Sequence, residues 1–170
     1  MNRRRAVFSL AAGAAAAPLA LGADAQIEDW VHWWERSKTF VMKIADAMPA
    51  GDYSFKPFPQ AHSFGEEILH IGDSEAYYLE RLGKGRAPAV PPNDASKATV
   101  LKYTAELFDW SIRAIKQLKN SDLTKTFGSG QEALTGLDIL LNTMVHTAHT
   151  RGYVDMYLRA KGITPPEYAV

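Results

Sequence analysis

His146-Thr147-Ala148-His149-Thr150-Arg151-Gly152-Tyr153 runs on into Tyr157-Leu158-Arg159-Ala160-Lys161-Gly162-Ile163-Thr164-Pro165-Pro166. The stretch carries two of the five histidines, one helical turn apart. It lies on the longest amphipathic segment of the chain. Thr135 is placed to cap the start of that helix, with Asp138 in its first turn. Leu140, Met144, Val145, Met156 and Leu158 continue it to Lys161. Gly162 suits the left-handed residue just past a helix, and Ile163 can fold back for the hydrophobic contact of a Schellman cap. Pro165-Pro166 forbids continuation.

Three further helices are expected upstream. Over residues 27–48, Ile27, Trp30, Val31, Trp34, Val41, Ile44, Ala45 and Met48 recur at the three-and-four spacing of one buried face. Pro49-Ala50-Gly51-Asp52 ends this helix. Residues 53–60 hold two prolines and three aromatics and read as an extended strap packed on the helices. Ser63-Phe64-Gly65-Glu66 is a capping box. It opens a second helix over 64–82, with Phe64, Ile68, Ile71, Leu79 and Leu82 on one face. A third spans 96–119. Residues 87–95 read as a loop and 120–132 as a polar connection. No strand alternation competes, so the expectation is an all-α four-helix bundle.

Composition narrows the chemistry. Lys plus Arg and Asp plus Glu both number 19, and no basic stripe stands out, so nucleic acid is not an expected partner. There is no cysteine, which excludes disulfides, thiolate metal sites and a cysteine nucleophile. Residues 1–25 read as a cleavable leader: Arg3-Arg4-Arg5, an alanine-rich apolar run, then Ala23-Asp24-Ala25. The paired arginines resemble a twin-arginine export signal, with an ordinary Sec signal as the alternative. The run is too short and alanine-rich for a permanent membrane span. The expected mature domain is 26–170, exported to the periplasm. Losing three arginines and Asp24 leaves it 16 basic and 18 acidic residues, too near balance for strong electrostatic steering.

On the last helix, successive residues turn by about 100°, so Asn142, His146, His149, Thr150 and Tyr153 fall along one polar face. His70, midway along the second helix, can add an imidazole from across a bundle core. Zinc, nickel or iron suit such ligands, and an open position would activate water or a thiol. A histidine pair at this spacing is equally at home as hydrogen-bonded interior or surface residues, and no His-Glu-x-x-His signature is present. His32 and His62 read as structural. Arg151, Asp155 and Arg159 read as an exposed ion-pair ladder. Trp30, Trp33 and Trp34 read as core or as dimer surface.

The segments Ala45-Asp46-Ala47-Met48-Pro49, Tyr53-Ser54-Phe55-Lys56-Pro57 and Ser63-Phe64-Gly65-Glu66-Glu67-Ile68-Leu69-His70-Ile71 resemble the N-terminal half of the DinB-like (DinB/YfiT) superfamily. His146-x-x-His149-x-Arg151-Gly152, Tyr157-Leu158-Arg159 and Gly162-Ile163-Thr164-Pro165-Pro166 resemble its C-terminal signature. The resemblance covers essentially the whole of 26–170. It implies an up-down-down-up four-helix bundle, often a homodimer, with a divalent metal on three histidines. Some relatives are thiol-dependent transferases or isomerases. His70 and His146 match the first two ligand positions. The third is Thr150 here, and the glutamine that usually follows Arg-Gly is Tyr153. A hydroxyl is a poorer ligand than imidazole for zinc or nickel. His149, one residue earlier, could serve only by a rotation of roughly 100° around the helix.

Two functions follow from this reading. The first is a metal-dependent transferase or hydrolase, with His70 and His146 as ligands and His149 or Thr150 completing the shell. Export disfavours cytosolic thiols as co-substrates and shifts weight toward hydrolysis or small-molecule binding. The second is a non-catalytic binding or scaffold bundle that has lost its full metal site. No residue stands out as catalytic base or nucleophile.

Overall fold

The structure, a computed structural model, describes residues 25–168. The leader expected at 1–25 lies outside the described residues except for Ala25. Four long helices form the bundle: α1 (Ala25–Ala47), α2 (Phe64–Leu79), α3 (Lys97–Lys116) and α5 (Gly136–Ala160). The expected polar connection holds more than loop. It contains a short helix, α4 (Asn120–Thr124), and two strands, β1 (Thr126–Phe127) and β2 (Leu134–Thr135). The strands pair antiparallel, Thr126 opposite Thr135 and Phe127 opposite Leu134. Two-residue strands are too short for any hydrophobic alternation to announce them.

Around the bundle the order is α1, α3, α2, α5, each touching the next. Side-chain pairs give the directions. Lys38 meets Asp109 and Lys97 meets Asp46, so α1 and α3 run antiparallel. Ser74 meets His146 and the backbone of His62 meets Tyr157, so α2 and α5 are antiparallel too. Gly72 lies against Tyr103 and Glu75 meets Ser111, so α2 and α3 run parallel and the arrangement is up-down-down-up.

The caps follow from local chemistry. Ser63 Oγ accepts from the Glu66 N–H, and the Glu66 carboxylate accepts from the Ser63 N–H at 2.6 Å. Thr135 and Asp138 do the same for α5. Ser96 leads α3 without a side-chain cap bond. Asp94 accepts there instead, from the Ser96 N–H and the Thr99 hydroxyl. At the end of α5, Gly162 is left-handed at φ 72°, and the Ile163 and Gly162 N–H groups donate to Leu158 and Arg159 carbonyls. That is the expected Schellman stop.

The strap is held at its start and exposes an aromatic ring at its middle. Tyr53 is buried and donates to the Ala45 carbonyl at 2.6 Å. The Phe64 and Gly65 N–H groups donate to Phe55 and Tyr53 carbonyls. Phe55 meets the Tyr157 ring edge-on, whereas Phe58 is exposed. Gly65 is required because a Cβ there would run into the Ala95 carbonyl oxygen. One expected feature is absent. Among the described residues, Arg151, Asp155 and Arg159 form no ion pair within salt-bridge distance. Arg151 lies over the rings of Phe40 and Tyr168, and Asp155 Oδ1 is buried without a hydrogen-bond partner among the described residues. A guanidinium stacks readily on aromatic faces.

Candidate metal centre

His70 comes from the middle of α2 and His146 from the middle of α5, and their ring centroids are 5.0 Å apart. Antiparallel packing of two capped helices is what sets them opposite each other. Both imidazoles are half-buried. His146 Nε2 lies 3.4 Å from Ser74 Oγ, while its Nδ1 is buried with no partner among the described residues. Burial holds the His146 pKa below its usual value. His70 and His149 push it the same way, and Glu67 opposes them.

The other two expected ligands are not in ring contact with this pair. His149 is exposed and its ring packs on Tyr153 at 4.8 Å. Thr150 is only 2 % exposed. It belongs to a row of buried threonines with Thr143 and Thr147, continuing the register of Leu140, Val154 and Leu158. Hence the polar face read from the sequence divides: Thr150 turns into the core, Asn142, His149 and Tyr153 face out, and His146 lies at the boundary.

Two groups read as structural or passed over in the sequence flank the pair. The His62 ring is 5.9 Å from that of His70, and its Nδ1 is 3.1 Å from Glu67 Oε2. Glu67 lies three residues before His70, on the same side of α2. Among the described residues, no three His, Cys, Asp or Glu side chains are arranged to hold a metal ion as they stand. A groove of about 500 Å³ runs beside them, lined by Phe58, His62, Glu67, Tyr153, Met156 and Tyr157.

Deeper in the core is Glu75, 1 % exposed. It accepts from Trp34 Nε1 at 3.3 Å, Ser111 Oγ at 2.9 Å and Thr147 Oγ1 at 3.2 Å. One donor therefore comes from each of the other three long helices. Burial pushes this carboxyl up to about 7, while the three donors pull it down. A signal for it existed. Glu75 stands four residues after Ile71 and four before Leu79, in the register of the buried face.

The fold is a four-helix bundle, an architecture that builds ligand and cofactor sites from side chains on facing helices. The DinB superfamily model matches residues 25–154, and the chain belongs to that superfamily. Solved structures agree on the fold. A DinB-like protein from Bacillus cereus is 19% identical, with a TM-score of 0.76 over 84% of this chain and 97% of that one. A DinB-like protein from Bacillus subtilis is 20% identical, with a TM-score of 0.67 over 82% of this chain and 96% of that one. No curated protein is significantly similar to it.

Proposed function

We propose that this protein binds a divalent metal ion, zinc, nickel or iron, at His70 and His146, and uses it in a hydrolase- or transferase-type reaction on a small molecule. The observation that carries this reading is the imidazole pair itself. Two rings from facing helices stand 5.0 Å apart, and one buried ring nitrogen has no hydrogen-bond partner among the described residues. A buried imidazole nitrogen left unpaired is costly, and an ion would satisfy it. When bound, such an ion supplies Lewis acidity and lowers the pKa of a coordinated water. Around it the chain's own groups act on a ligand. Phe58, Tyr153, Met156 and Tyr157 offer apolar surface in the adjoining groove, and the Glu67 carboxylate offers a hydrogen-bond acceptor.

The test is metal content and melting temperature of the untagged protein with added zinc or nickel. An ion that binds the folded state alone raises the melting temperature by linkage. Absence of bound metal, with His70→Ala and His146→Ala behaving as wild type, would refute the reading.

A second reading, a bundle that binds without catalysis, is favoured by one observation: Thr150 is buried in the core and His149 turned outward. It requires a protein that takes up ligand in the groove but no metal.

Export and dimerisation belong to the same proposal. Fractionation of cells, with mass measurement for cleavage before Gln26, tests the periplasmic leader. The described helices include none long and apolar enough to cross a membrane. Leu137, Leu141, Val145 and Met156 are exposed on α5, and Trp33 is exposed on α1. Sedimentation with Val145→Glu against wild type tests this face as the homodimer contact, because a charge there would be buried on pairing.

A further inference from the structure

We infer that the groove beside the imidazole pair takes a small organic cation, an ammonium head on an apolar body. The inference deepens the reading above: it rests on that groove as the ligand site and names the chemical class of the ligand, with no part assigned to a metal.

The walls of the groove are aromatic and its charge is negative. Phe58 comes from the strap, Tyr153 and Tyr157 from successive turns of α5, and Glu67 from α2. Among the described residues, none that lines the groove is a lysine or an arginine. The face of an aromatic ring is the negative end of its quadrupole, so it attracts a cation and disfavours an anion. A neutral apolar ligand would cover the rings but would shut the carboxylate off from water without a partner.

Glu67 is placed to act on a ligand. Its side chain keeps only 15% exposure. Its ion-pair partner among the described residues is His62, with Nδ1 3.1 Å from Oε2, and a neutral imidazole there leaves the carboxylate charge uncompensated. The same charge reaches the inner wall of the groove. Burial first, and Glu67 second, hold the Tyr157 phenol above its usual pKa.

The rings form a floor and an entrance. Tyr157 is buried, and its hydroxyl donates to the His62 carbonyl at 2.9 Å, which fixes the ring. Phe58, Tyr153 and Met156 are exposed around it. Exposed apolar side chains gathered about one carboxylate mark a surface that a ligand covers. The volume of about 500 Å³ has room for an ammonium head and an apolar body.

The experiment is isothermal titration calorimetry at pH 8 of the full-length chain, freed of metal with EDTA. The probes are benzyltrimethylammonium, choline, the uncharged analogue of choline with tert-butyl in place of trimethylammonium, and benzoate. Variants are Glu67→Gln, Phe58→Ala, Tyr153→Ala and, as a control carboxylate exposed on α3, Glu106→Gln. Circular dichroism verifies that each is folded. Wild type should bind benzyltrimethylammonium saturably and more tightly than choline. The uncharged analogue and benzoate should bind at least about tenfold more weakly than choline, and Glu67→Gln should weaken benzyltrimethylammonium by about the same factor. Phe58→Ala and Tyr153→Ala should each weaken it by about threefold or more, and Glu106→Gln should leave it unchanged. No saturable binding of either cation by wild type would overturn the inference. So would choline binding no better than its uncharged analogue or benzoate, or Glu67→Gln binding as wild type does. Because the chain is metal-free throughout, each of these failures leaves the metal reading to its own test of metal content.

Discussion

The indole N–H of Trp34 donates to the carboxylate of Glu75 at 3.3 Å, joining α1 to α2 through the middle of the core. Ser111 and Thr147 complete the set from α3 and α5. This one carboxylate contacts a donor from every other long helix, so its ionisation is tied to the stability of the whole bundle. Burial holds the folded-state pKa at about 7, against 4.5 for an unperturbed glutamate. Between those values the folded chain keeps a proton that the unfolded chain has lost. Stability therefore falls as pH rises from about 4.5 to about 7 and is level beyond, a contribution of roughly 3 kcal/mol. Urea unfolding at pH 5 and pH 8, wild type against Glu75→Gln, isolates it. The wild type should lose more stability on going to pH 8 than the variant does. Equal pH dependence in the two would contradict the assignment.

Shortening the same residue should behave differently. Glu75→Ala leaves three buried donors without their acceptor and opens a cavity, for a loss of about 2–5 kcal/mol. Glu75→Gln keeps the volume and one acceptor oxygen and should cost less. Denaturant midpoints at pH 8 decide between these outcomes. Equal losses would mean that the donors do not depend on the carboxylate.

Ser63→Ala removes the side-chain half of the α2 capping box while Glu66 still accepts from the backbone. The expected cost is about 1 kcal/mol. Chemical denaturation measures it, and a loss below a few tenths would show that Glu66 alone caps the helix.

Gly65→Ala places a Cβ against the Ala95 carbonyl and 3.1 Å from the Tyr53 ring. Neither is the far end of a flexible chain. The variant should lose about 1–3 kcal/mol. It should also expose Tyr53, whose hydroxyl is otherwise bonded to Ala45. Tyrosine fluorescence and melting temperature report both effects, and a wild-type melting temperature would show that the loop yields.

Much of the fold was legible because it is written in local chemistry. Capping boxes at Ser63 and Thr135 and the Gly162 stop each depend on residues within a few positions of one another. The periodic apolar faces fixed four long helices for the same reason. The short α4 and the two-residue strands left no such periodicity, and they exist through contacts with neighbouring elements. The candidate site was half legible. His70 and His146 stood out by helical position and by resemblance. His62 did not, because its relation to His70 depends on how the strap meets α2. The ladder of Arg151, Asp155 and Arg159 had the right spacing, yet Arg151 found aromatic rings from other parts of the chain.

The sequence by itself determined the four long helices, the caps at Ser63 and Thr135, the Gly162 stop and the superfamily, since these follow from spacing, local capping and motif order. Only the tertiary structure decided what the face around His146 does. A shift of about 40° around a helix separates His146 at the boundary from Thr150 in the core. The packing of α5 against α2 sets that boundary. The same packing brings one donor from each neighbour to Glu75 and sets His62 and Glu67 beside the imidazole pair. Such meetings are made across elements, where residue spacing within one helix carries no information.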